Sequence, residues 1–187
     1  MRKKGRLFVI SAPSGCGKTT ICGKALRVIK DLVPSVSVTT RRPRPGEKDR
    51  KDYHYVSPGT FRKKIKNGEF LEWEKNFGNY YGTPRKFVSE KLKEGKSVLL
   101  SIDVRGAMNV KRKFRDSTLI FIKPPSFAEL VRRLKSRNTD READIRKRLA
   151  IAREELAHAG EYDHVVVNDN LENAVKKTVS IIKKKGR

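Results

Sequence analysis

The run Ala12-Pro13-Ser14-Gly15-Cys16-Gly17-Lys18-Thr19, directly behind the apolar stretch Leu7 to Ile10, has the residue types that a phosphate-binding turn requires. Gly15 and Gly17 let successive backbone N–H groups curl around phosphate oxygens, and a helix opening through Thr19 and Thr20 aims its N-terminus at them. Lys18 is spaced to reach the β- and γ-phosphates of a nucleoside triphosphate, and the Thr19 hydroxyl to ligate Mg²⁺. Ala12 stands where the usual pattern has its first Gly, a departure that costs little if its φ is negative. Further on, Val98 to Asp103 reads as an apolar strand ending in an acid. Asp103 suits Mg²⁺ or its water shell beside Thr19, or alternatively the cap of the next helix.

A second constellation follows the loop. Ser37-Val38-Thr39-Thr40-Arg41-Arg42-Pro43-Arg44-Pro45-Gly46-Glu47, with Asp52-Tyr53 behind it, sets three arginines on a proline-stiffened turn. Guanidinium forks match phosphate oxygens bidentately, so the run is an anion clamp or else a solvated basic loop. In Glu69-Phe70-Leu71-Glu72-Trp73-Glu74, strand alternation puts Leu71 and Trp73 on one face and Glu72 on the other. An aromatic turn between glycines, Gly78 to Thr83, comes next.

The elements that must position these residues are legible in outline. Helix signals cover Thr19 to Lys30, with Pro34 past the end. Short β-like runs occur at Ser35 to Thr39, Tyr53 to Val56 and Glu69 to Glu74. Ser57-Pro58 and Thr83-Pro84 open two helices, closed by Gly68 and Gly95. Strand–helix alternation then resumes: strand Val98 to Ile102, helix to about Phe114, strand Thr118 to Ile122. A helix with a capping box at Ser126 to Glu129 leads to a basic connection near Arg137 to Asp140. A longer helix to about Ala159, strand His164 to Val167 and a last helix from Leu171 complete the chain. Short apolar strands separated by helices predict a parallel sheet covered on both faces, and the irregular middle segment an inserted substrate module.

At 187 residues the chain has the length for one sizeable α/β core. Leu7 to Ile10 is too short for a signal peptide or membrane span. Two cysteines, Cys16 and Cys22, make neither a disulfide framework nor a metal site, which fits a reducing cytoplasm. A thiol at a helix N-terminus can have a lowered pKa and oxidise readily, the alternative for Cys16 being a small residue accommodated in the loop. The net charge of +24 permits non-specific polyanion binding. No helix-turn-helix, zinc finger or aromatic–basic RNA signature accompanies it, so a solvated basic surface is expected.

The loop A-P-S-G-C-G-K-T, the run T-T-R-R-P-R-P-G-E, the K-D-Y after it, E-F-L-E-W, G-N-Y-Y-G-T and V-V-V-N-D occur in an order that resembles guanylate kinase from about Leu7 to Lys184. The resemblance implies an α/β P-loop NTPase fold, a three-layer sandwich with a central parallel sheet. It implies a core of residues 1–34 and 97–187, a helical lid at about 133–148, and an inserted α+β GMP-binding module at 35–96. The implied reaction is reversible transfer of the ATP γ-phosphoryl group to GMP, giving ADP and GDP for GTP and dGTP supply and GMP recycling. ATP and GMP are the implied partners and Mg²⁺ the cofactor, in a cytoplasmic monomer or homodimer without a membrane.

Ala12 to Thr20 with Asn168 would bind ATP, Asn168 lying near the adenine. Arg41, Arg44, Tyr53 and Tyr81 would grip the GMP phosphate; Glu72, Ser37 and Thr83 would read guanine. Thr83 also fits the cap before Pro84. Lys18, Arg41 and the lid arginines Arg133, Arg137 and Arg148 would act on the transferring group, whereas Arg132 and Arg146 suit a charged helix face and Arg141 belongs to the same basic stretch. Thr19 and Asp103 would serve the metal. Two departures stand out: Ser101 replaces the family's usual second acid, and Asn138 its lid Gly. Rival readings are a non-catalytic scaffold domain, against which Lys18, Thr19 and Asp103 argue; a P-loop kinase for another acceptor, which Glu72 disfavours; and a basic nucleic-acid-binding protein, which would bind RNA without Lys18.

Overall fold

The computed structural model describes residues 4–76, 78–136 and 142–186. In chain order the elements are β1 (Leu7–Ser11), α1 (Lys18–Val28), β2 (Leu32–Pro34), β3 (Val38–Thr39), β4 (His54–Tyr55), α2 (Pro58–Lys66), β5 (Phe70–Asn76) and β6 (Asn79–Pro84). Then follow α3 (Arg85–Lys93), β7 (Ser97–Ser101), α4 (Val104–Lys113), β8 (Thr118–Lys123), α5 (Phe127–Lys135), α6 (Glu142–Ala157), a 3₁₀ turn (His158–Glu161), β9 (His164–Val167) and α7 (Leu171–Gly186). No helix among the described residues is long and apolar enough to cross a membrane.

Five parallel strands form the central sheet in the order β2-β7-β1-β8-β9. β1 is buried along its whole length, which explains its unbroken apolar character. Its side chains alternate between two cores. Phe8 and Ile10 pack with α1, α5 and α7, while Leu7 and Val9 pack with α3 and α4. The result is a three-layer α/β sandwich. β1 lies between β7 and β8, so connections leave it on both sides and the crevice at the strands' carboxyl ends is the expected ligand position. The register Ile10↔Ser101 brings the loop after β1 beside the segment after β7.

A second, four-stranded sheet, β4-β3-β6-β5, carries the middle segment. α2 covers it through Phe61, whose ring stacks on Phe70 at 4.5 Å and on Tyr80 at 5.3 Å. α3 turns back toward the central sheet and buries Val88 and Leu92 there.

Three expectations require correction. Gly78 to Thr83 is not simply an aromatic turn: Asn79–Pro84 is strand β6, paired antiparallel with β5. Its tyrosines and glycines lack period-2 apolar patterning because one face lines the cleft. Leu32–Pro34, just past the expected helix end and not read as a strand, forms a three-residue edge strand on β7, and proline is tolerated at an edge. Thr83 does not cap α3; the cap position is Pro84, without a side-chain bond. Ser57 and Ser126 do cap, accepting from the Thr60 and Glu129 N–H groups. The reciprocal half of the Ser126 capping box is replaced by bonds from Arg132 and Arg133 to the Glu129 carboxylate. Arg137, Asn138 and Arg141 lie outside the described residues.

Candidate active site

One cleft of about 760 Å³ runs between the two sheets. Its walls include Ala12, Pro13, Ser14, Gly15, Gly17, Lys18, Thr19 and Thr20 on one side and Ser37, Arg41, Arg44, Tyr53, Glu72 and Tyr81 on the other, with Asp103 and Arg148 between. Residues far apart in sequence thus share one space because β1 and β7 end together while β5 and β6 face them.

At the loop, Gly15 and Gly17 have φ of +93° and +82°, the left-handed region that a side chain would strain. Ala12 avoids that region; among the described residues Arg50 is the one non-glycine with positive φ. Lys18 Nζ donates to the Ile102 carbonyl at 2.9 Å. Burial lowers its pKa, and Cys22, Asp103 and Glu155 oppose the shift. The Asn168 side-chain amide donates to the Cys16 carbonyl at 2.9 Å, and the Asn168 backbone carbonyl accepts from Arg133 at 2.9 Å. Asn168 and Arg133 therefore brace the back of the loop. Arg148 reaches it from α6, donating to Ser14 Oγ at 3.2 Å. The Cys16 side chain is buried, and burial pushes its thiol up to about 12. Desolvation outweighs the nearby Arg133 charge, the opposite of the lowered pKa that a helix N-terminus favours.

Asp103 does cap α4: Oδ1 accepts from the Gly106 N–H at 2.8 Å, and Oδ2 accepts from Asn76 Nδ2 at 3.2 Å. Capping leaves its carboxylate at the mouth of the cleft with a fixed orientation. Arg132 sits on the surface with Glu129, as a charged helix face would.

Opposite the loop, Glu72 is only 4% exposed. Thr83 Oγ1 donates to its Oε1 at 2.5 Å, across the β5–β6 pair. Burial is the main reason its pKa is raised to about 7; Asp103 and Glu74 add to the rise, while Thr83 and Lys113 oppose it. A Cβ on Gly106 would come within 2.8 Å of Glu72 Oε2, so a glycine at that point of α4 makes room for the carboxylate. Both features escape the sequence, since no local pattern relates Gly106 to Glu72.

Glu47 organises the basic turn. Its Oε1 accepts from Arg41 at 2.8 Å, and its Oε2 accepts from the Arg44 N–H at 2.7 Å and the Tyr55 hydroxyl at 2.8 Å. The Arg41 bond, with the Arg44 and Tyr55 bonds, holds its carboxyl down at about 2 against some burial. Arg41 also lies 5.3 Å from the centre of the Tyr53 ring, and Tyr53 meets Tyr81 edge-on at 6.0 Å. Two arginines and two tyrosines are thereby gathered in the wall of the cleft that also holds Glu72. Further cleft residues without a distinguishing sequence signal include Glu74, Asn76 and Glu155, whose carboxyl burial raises to about 7.

This geometry accommodates a phosphate chain at the loop and a second anion opposite it. The guanylate kinase family model matches residues 4–185. The guanylate kinase of Thermotoga maritima is 48% identical over 180 residues, 96% of this chain and 87% of that protein. The guanylate kinase of Caldanaerobacter subterraneus subsp. tengcongensis is 48% identical over 182 residues, 97% and 88% respectively. A crystal structure of guanylate kinase from Anaplasma phagocytophilum superposes with a TM-score of 0.84 at 37% identity, covering 99% of this chain and 88% of that one. Both sheets and the cleft between them fall inside these matches, and the chain belongs to the guanylate kinase family.

Proposed function

We propose that the chain transfers the γ-phosphoryl group of ATP to GMP, with residues 35–96 as the GMP-binding module and the loop Ala12 to Thr20 as the ATP phosphate site. The observation that carries this reading is the buried Glu72 carboxylate, held by Thr83, in the same cleft wall as the Arg41, Arg44, Tyr53 and Tyr81 cluster. Guanine offers N1–H and a 2-amino group as adjacent donors, and one carboxylate accepts from both. Adenine has no such pair, so it would leave a buried charge unpaired; a site of this kind rejects the wrong base by roughly four to five orders of magnitude.

The nucleophile is a GMP phosphate oxygen, ionised at neutral pH because the second phosphate pKa is near ~6. It forms the new bond to the γ-phosphorus as the bond to the ADP oxygen breaks. No general base is needed. Lys18, Arg41 and Arg148, with Arg133 bracing the loop and Arg137 completing the lid set, neutralise and align the phosphates. Asn168 serves ATP through the loop backbone it holds. Thr19 and Asp103 would hold Mg²⁺: a hydroxyl at the loop and a fixed carboxylate at the end of the adjacent strand suit an ion that keeps waters and phosphate oxygens as its other ligands. The ion would neutralise charge on the triphosphate.

The test is ADP formation from ATP and Mg²⁺ with GMP, AMP, UMP or CMP as acceptor. GMP-dependent turnover well above the other three is expected; equal rates with all four would overturn the guanine reading. Two variants probe the supporting residues. Glu47→Ala frees Arg41, the Arg44 backbone and Tyr55 together, so KM for GMP is expected to rise about tenfold with KM for ATP unchanged. Gly106→Ala drives a methyl into Glu72 and is expected to raise KM for GMP by about tenfold or more, measured in the same assay.

A further inference from the structure

Strand β5 carries a second carboxylate into the cleft. The β5–β6 register pairs Glu72 with Thr83, Trp73 with Gly82 and Glu74 with Tyr81. Alternation puts Glu74 on the same face as Glu72, and both line the cleft, while Trp73 on the opposite face is 40% exposed. Two residues of strand separate the Glu72 and Glu74 Cα atoms by roughly 6.6 Å. Glu72 with Thr83 is the base end; Tyr81, edge-on to Tyr53 beneath Arg41, belongs to the phosphate end. Glu74 stands one rung along the same face, directly opposite Tyr81. Because a tyrosine hydroxyl lies a ring's length beyond its strand, a nucleotide running from Glu72 to that hydroxyl passes its sugar over Glu74.

Its side chain is set for that position. Glu74 Oε1 accepts from the Asn109 amide of α4, which pins the carboxyl from the core side. Oε2 takes no hydrogen bond among the described residues. An ionised carboxylate only accepts, and the donors that a nucleotide presents between its base and phosphate are the ribose hydroxyls. A charge-assisted O–H···O⁻ bond is about twice as strong as a neutral one.

Resting on the GMP reading above, we propose that Glu74 is a sugar-reading residue: its Oε2 accepts a hydrogen bond from the ribose 2′-hydroxyl, so the enzyme prefers GMP to dGMP. The deoxy sugar leaves that oxygen unpaired against a half-buried wall. Because the side chain is not fully buried, the discrimination is about ten- to a hundredfold, below that of a closed pocket.

The experiment measures kcat/KM for GMP and dGMP with saturating ATP in the wild-type enzyme and in Glu74→Ala. A wild-type ratio of about ten or more that collapses toward one in the variant, through loss with GMP, is the expected result. A wild-type ratio near one overturns the proposal without reference to any variant. A variant that loses GMP and dGMP activity in parallel, with its thermal unfolding unchanged, also overturns it and makes Glu74 a structural partner of Asn109. Failure of the GMP reading itself would look different, since wild-type enzyme would then show no preference for either guanine nucleotide over AMP.

Discussion

Replacing Lys18 with Ala is expected to lower GMP-dependent ADP formation by at least about a thousandfold. GMP affinity, measured by calorimetry without ATP, is expected to stay within about twofold, since Lys18 lies on the loop wall of the cleft and the residues proposed for GMP on the opposite wall. The Lys18 ammonium is tied to the Ile102 carbonyl at 2.9 Å and sits in a buried position that lowers its pKa against the pull of Cys22, Asp103 and Glu155. A cation with little water around it interacts with phosphate charge far more strongly than one in solvent. Its removal also leaves the Ile102 carbonyl and the nearby acids without their counter-charge. Turnover near the wild-type rate in this variant would remove the loop from the mechanism. Loss of GMP affinity as well would show that the variant had disturbed the fold of the cleft.

The second large effect concerns Glu72, where function and stability are expected to move in opposite directions. Glu72→Gln places an amide N–H₂ against guanine's donors, and kcat/KM for GMP is expected to fall by at least about a thousandfold. The same change should stabilise the unliganded protein. Burial, the largest cause, lifts the folded pKa to about 7 from the usual 4.5. A carboxyl whose folded pKa exceeds its unfolded pKa contributes full stability below about pH 4.5 and loses it as pH rises through about 7. At pH 8 the difference amounts to at most about 3 kcal/mol. Glutamine has no such penalty and keeps an acceptor for Thr83. Tm of the variant should therefore exceed wild type at pH 8 and match it near pH 4.5. Equal Tm at both values would mean that ionised Glu72 carries no burial cost. Ligand binding has the complementary sign: in the proposed site guanine needs the carboxylate, so guanosine affinity should weaken about tenfold from pH 8 to pH 6 as Glu72 takes up a proton. Guanosine, lacking a phosphate, isolates this group from the titration of GMP itself.

Much of the fold was legible because its signals are local. The strand His164 to Val167 and the start of α7 at Leu171 lie where alternation and spacing place them, and the glycines after α2 and α3 have the positive φ expected of helix ends. β6 was hidden because a strand with one face on a ligand cleft loses its apolar period and looks like a turn. β2 was hidden because three residues form a strand only when β7 offers the partner. Thr83 was ambiguous between a helix cap and the guanine set because a hydroxyl before proline suits both; pairing opposite Glu72 resolved it in favour of the carboxylate. For Asp103 the cap was the alternative the structure shows, with the carboxylate still facing the cleft.

By itself the sequence determined that this chain has a phosphate loop, that an acid closely follows the apolar strand at Val98, and that an arginine-rich turn precedes an acidic strand. Each of these is a contiguous run whose chemistry depends on neighbouring residues. Only the tertiary structure decided how the runs meet. It set Glu47 under Arg41, Arg44 and Tyr55 and opened Gly106 for Glu72. It also buried Cys16, raising its thiol pKa, and brought Glu74 into the cleft beside Glu72. Those outcomes depend on desolvation and on contacts between distant segments, and neither quantity exists until the two sheets have packed against one another.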